Sequence, residues 1–74
     1  MNLKDELNYW KTELNNCENE LNELNKPIDV TTISAWDIDK RTERKMHLEQ
    51  LIQENKEIIE DIKMEMELWV YSNN

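Results

Sequence analysis

An all-α fold, an antiparallel two-helix hairpin of coiled-coil character with a long second helix, is predicted by three features of the sequence. Glycine is absent and proline occurs once, at Pro27, which leaves little material for sheets and tight turns. Charged residues make up 35% of the chain, and Leu, Glu, Lys and Asn are abundant, a composition suited to long helices. Apolar residues recur in alternating steps of three and four on both sides of Pro27. The 74 residues are expected to form one domain, 1–74, short enough to need a partner subunit as a staple.

The first helix is expected at about 3–25. Its apolar seam reads Leu3, Leu7, Trp10, Leu14, Cys17, Leu21 and Leu24, an unbroken heptad pattern. With Leu7, Leu14 and Leu21 at a, the d positions are Leu3, Trp10, Cys17 and Leu24; Glu6, Glu13 and Glu20 fall at g, and Lys4 and Lys11 at e. Asn2 is placed to cap, with Asp5 and Glu6 in the first turn where the helix dipole favours negative charge. Pro27 stops the helix, because it lacks an N–H and pushes Lys26 toward extended geometry.

The connection is expected at 26–34, containing the stretch PIDVTTIS, and the second helix at about 35–71, with an earlier start at Thr31 or Thr32 as the alternative. Ser34 can cap it, Asp37 can answer from the third position, and Ile33 and Ile38 occupy the two positions of a hydrophobic staple. The seam continues as Ile38, Arg41, Lys45, Leu48, Ile52, Asn55, Ile59, Ile62, Met66 and Trp69, polar at first and apolar from Leu48 onward. Asn55 interrupts the apolar part, as a polar seam residue that specifies register or oligomer number at a cost in stability.

Folding the helices antiparallel pairs Leu24 with Ile38, Cys17 with Lys45, Leu14 with Leu48, Trp10 with Ile52, Leu7 with Asn55 and Leu3 with Ile59. The second helix then overhangs by about 12 residues, on the order of 18 Å. The basic cluster Lys40, Arg41, Arg44 and Lys45 faces Glu18, Glu20 and Glu23, so internal charge pairing is expected, with an anion contact near the turn as the alternative. Trp36, Leu51, Ile58, Met64 and Leu68 would stay wet in a lone hairpin, and a second copy completing a four-helix bundle would cover them.

The formal charge of −8 is concentrated in residues 49–74, at −5. Such a surface disfavours direct nucleic-acid binding and suits basic proteins, or proteins whose own ligand is a polyanion. No stretch approaches the roughly 20 apolar residues of a membrane span, and charges near residue 1 do not fit a signal peptide, so no membrane role and a cytoplasmic location are expected. One cysteine, Cys17, and one histidine, His47, cannot form a disulfide or a zinc cluster; neither a metal nor a cofactor is expected. Cys17 reads as a small buried thiol and His47, at an outward c position, as a solvated side chain.

Two helical-hairpin families are set aside on their motifs. Secreted hairpins of the Trp-x-Gly type carry a tryptophan in the turn, as Trp36 does, but Ile38 stands where the glycine belongs. The short aspartyl-phosphate phosphatases of sporulating bacilli carry Ser-x-x-x-Asp, whereas Ile38 lies four residues after Ser34 and Asp39 falls one step late. In size and charge the chain resembles small acidic proteins of phages and mobile elements that block host nucleases or repair enzymes.

The expected function is therefore a non-enzymatic adaptor or inhibitor that binds another protein. Its partner-binding residues are expected to be Met66, Leu68, Trp69, Val70 and Tyr71 at the apolar tip with Glu57, Glu60, Asp61 and Glu65 on the acidic face. Trp10, Leu14, Leu48, Ile52, Asn55, Ile59 and Ile62 are expected to form the seam, and a homodimer is the expected assembly. An acidic decoy that mimics nucleic acid is the alternative, and a small phosphatase-like regulator centred on Asp37 and Asp39 the minor one.

Overall fold

The computed structural model describes residues 2–29 and 31–72, with side chains up to Trp69. It contains two helices that pack against each other, α1 (Leu3–Leu24) and α2 (Ala35–Ser72), and no strand among the described residues. Their bounds lie within one residue of those expected, because each end is set by local chemistry. The Asn2 side chain accepts from the Asp5 N–H at 2.8 Å, satisfying one of the donors that a helix start leaves open. Past the last turn of α1, the Asn25 N–H donates to the Leu21 carbonyl at 3.0 Å before Pro27 prevents continuation.

Ser34 caps α2: its Oγ accepts from the Asp37 N–H at 3.2 Å and donates to the Asp37 carboxylate at 3.0 Å. The threonines that offered an earlier start are drawn into a turn built on Asp29 instead. The Asp29 carboxylate accepts from both the N–H and the hydroxyl of Thr31, at 3.0 and 2.6 Å, and the Asp29 carbonyl accepts from the Thr32 hydroxyl at 3.0 Å. Such local bonds compete with helical ones and hold residues 31 and 32 outside α2.

The result is a rod, 63 × 18 × 14 Å, whose length is set by α2. Its core is the seam. Leu48 is fully buried, and Ile59, Ile62 and Asn55 are buried with it. Trp10, Leu14 and Ile52 are half-buried rather than enclosed, since two helices shield only one stripe of each other. Cys17, expected to be buried, is half-buried for the same reason.

Among the described residues, an interhelical ion pair joins the two helices near the turn. Arg44 Nη2 donates to Glu20 Oε2 at 2.7 Å, joining two g positions between the layers Leu21–Arg41 and Cys17–Lys45. Stepping by heptads from this pair sets Glu13 level with Leu51 and Glu6 level with Ile58. All four are half-buried, whereas Glu20, opposite a cation, is exposed. Leu51 and Ile58, expected to be wet, are half-buried, and long charged side chains at the facing edge are able to lay their methylenes over such apolar surface. Trp36, Met64 and Leu68 of the same expected set are exposed.

Candidate protein-binding surface

The far end of α2 exposes three large apolar side chains, Met64, Leu68 and Trp69. Trp69 and Leu68 are both 64% exposed, and Met64, one turn before Leu68, is exposed too. Met66 is half-buried. A groove of about 480 Å³ opens here, lined by Asn2, Leu3 and Lys4 of the α1 start and by Met66 and Trp69. The expectation that the first helix is too short to reach this region needs correction. Helical side chains lean toward their own N-terminus, so Met66 and Trp69 reach back over the turn that precedes them, toward the beginning of α1. The side chains of Val70 and Tyr71, assigned to the same tip, lie outside the described residues.

The acidic candidates Glu57, Glu60, Asp61 and Glu65 are all exposed. They lie on the outer surface and one flank of α2, alongside Met64 and Leu68, so carboxylates and apolar side chains alternate there. Within that helix Gln53 Nε2 donates to Glu57 at 3.3 Å, a contact that orders the side chain without neutralising it.

The turn end is built differently. Trp36 is 65% exposed, and the Lys40 ammonium lies 5.5 Å from its ring centroid, a cation–π arrangement. Lys40 also approaches Glu43 at 3.7 Å and Lys26 pairs with Glu23 at 2.8 Å. Of the basic cluster, Arg44 crosses to α1 while Arg41 and Lys45 are half-buried in the seam. Asp29 has its carboxyl held below the ordinary carboxylate value, first by the Thr31 hydroxyl and then by the Thr31 N–H, against a small opposing effect of burial.

The residues considered for chemistry are engaged or dispersed. Ser34 and Asp37 bond to each other in the cap, Asp39 and His47 are exposed, and no group of three His, Cys, Asp or Glu side chains gathers among the described residues. No helix among the described residues is long and apolar enough to cross a membrane. No protein-family model matches the chain, and neither a curated protein nor a solved structure is significantly similar to it.

Proposed function

We propose that this chain is a non-enzymatic protein-binding module, a helical hairpin that acts in the cytoplasm as an adaptor or inhibitor and self-associates as a dimer, with a four-helix bundle as its closed form. The observation that carries this reading is the exposed apolar end of α2, where Met64, Leu68 and Trp69 adjoin the groove lined by Leu3 and Met66. Large apolar side chains clustered beside a groove and rimmed by charge are the usual anatomy of a protein-binding patch. The engagement of Ser34 and Asp37 in capping supports a structural role for them over a catalytic one.

The test is association of the purified chain and of its Leu68→Glu and Trp69→Ala variants with proteins of the native host. Retained helicity with loss of the bound protein supports the reading; unchanged capture by both variants counts against it.

A second reading is favoured by the exposed carboxylates Glu57, Glu60, Asp61 and Glu65: an acidic decoy, of the kind phages and mobile elements use, that occupies a groove built for a nucleic-acid backbone. Binding of that kind weakens steeply with salt and competes with DNA or RNA for the partner. Salt-insensitive binding would remove it.

A further inference from the structure

The surface of the hairpin is large for its mass. A compact monomer of 9.0 kDa is expected to expose about 4,850 Å², whereas this chain exposes 6004 Å². The excess, about 1,150 Å², exceeds the roughly 800 Å² that each partner contributes to a standard interface. Where that area would be covered is indicated by one strip of α2.

Arg44, Leu51, Ile58 and Glu65 follow one another at heptad intervals along the g edge of α2. The strip therefore reads cation, apolar, apolar, anion. Reversed, it is complementary to itself: Leu51 meets Ile58 twice and Arg44 meets Glu65 twice. A two-fold interface requires this property, since each residue pairs with a different residue of an identical surface. The wider charge pattern agrees, because residues 35–48 of α2 hold four bases against three acids, while residues 49–72 hold seven acids against two bases. Antiparallel pairing sets the basic half of one α2 beside the acidic half of the other, and parallel pairing would set the acidic halves together.

We infer that two copies associate through antiparallel α2–α2 packing across this strip, with Arg44 of each chain paired to Glu65 of the other. The inference rests on the dimeric part of the function proposed above and specifies its geometry. Leu51 and Ile58 are half-buried in the hairpin, so they retain apolar surface to contribute. Arg44 is 46% exposed while bonded to Glu20, and a guanidinium with five N–H donors can hold a second carboxylate. Glu6 and Glu13, level with Ile58 and Leu51 on α1, would repel their counterparts if α1 met α1. That repulsion favours contact through α2.

The test uses two single variants of the full chain, Glu65→Arg and Arg44→Glu, studied separately and mixed, by sedimentation equilibrium with helicity as the folding control. Alone, Glu65→Arg opposes two arginines at each end of the strip and Arg44→Glu opposes two glutamates, so each dissociates about tenfold more readily than the unaltered chain. Mixed, they restore both opposite-charge pairs and form a heterodimer near the original affinity. Glu65 is exposed, so its replacement leaves the hairpin folded. A monomeric unaltered chain would overturn the inference together with the dimer, leaving binding through Leu68 and Trp69 to its own test. A dimer indifferent to both variants, or a mixture no tighter than either variant alone, would overturn this geometry while the dimer itself stood.

Discussion

Arg44 grips Glu20 with two hydrogen bonds, from Nη2 at 2.7 Å and from Nε at 3.3 Å, across 24 positions of sequence. The geometry is bidentate, yet both side chains are 46% exposed, so solvent screening keeps the pair weak. Replacing Glu20 with Ala should cost about 0.2–1 kcal/mol, a fall of several degrees or less in the thermal midpoint. The loss should shrink at high salt. A loss that salt leaves untouched would mean that Glu20 contributes packing and not charge.

Leu48 is where the hairpin has least tolerance, because its side chain is fully buried among few other buried groups. Leu48→Ala should destabilise by about 2–5 kcal/mol, a large share of the stability of a domain this small. The helical signal in circular dichroism should then be lost, or survive only at low temperature. Trp36→Ala, at a site 65% exposed, is the control expected to stay within about 0.5 kcal/mol of the original.

Asn55 is buried in the apolar half of the seam, at 6% exposure. Replacing it with Ile should raise stability by about 1–2 kcal/mol, since an amide is costly to desolvate. If, as we propose, the polar layer specifies register in a dimer, the same change should broaden the distribution of oligomers seen by sedimentation. A more stable variant with an unaltered distribution would deprive Asn55 of that role.

The Asp29 turn makes a prediction about pH. A carboxyl whose folded value is depressed contributes stability above its unfolded value and loses it as the pH falls through the folded one. The reference value is 3.8, so the contribution is complete at neutral pH and is lost progressively below 3.8. Thr31→Val removes the hydroxyl that is the largest cause of the depression. The difference in thermal midpoint between the original chain and this variant should therefore be present at pH 7 and close under strongly acidic conditions. A difference independent of pH would point to the shape of valine and not to the carboxylate.

Much of the candidate surface was legible as composition but not as geometry. The acidic positions Glu57, Glu60, Asp61 and Glu65 read as exposed from their places in the heptad, and they are exposed. Leu51 and Ile58 read as wet because the heptad assigns them to an edge, whereas they are half-buried, as are Glu13 and Glu6 at the matching heptad levels of α1. The groove at the tip is not legible from heptad pairing, which aligns residues along the helix axes, whereas side chains lean and bring Trp69 to a groove that includes Leu3.

The two helices, their caps, the Asp29 turn between them and their seams are local properties of the sequence. Each depends on interactions among residues within one or two helical turns: Asn2 with Asp5, Ser34 with Asp37, and apolar side chains three and four apart. Which glutamate Arg44 takes and which edge residues are shielded depend instead on how α1 and α2 are placed against each other. Those outcomes depend on competition among several available partners. Periodicity names the candidates, but relative placement in three dimensions selects among them.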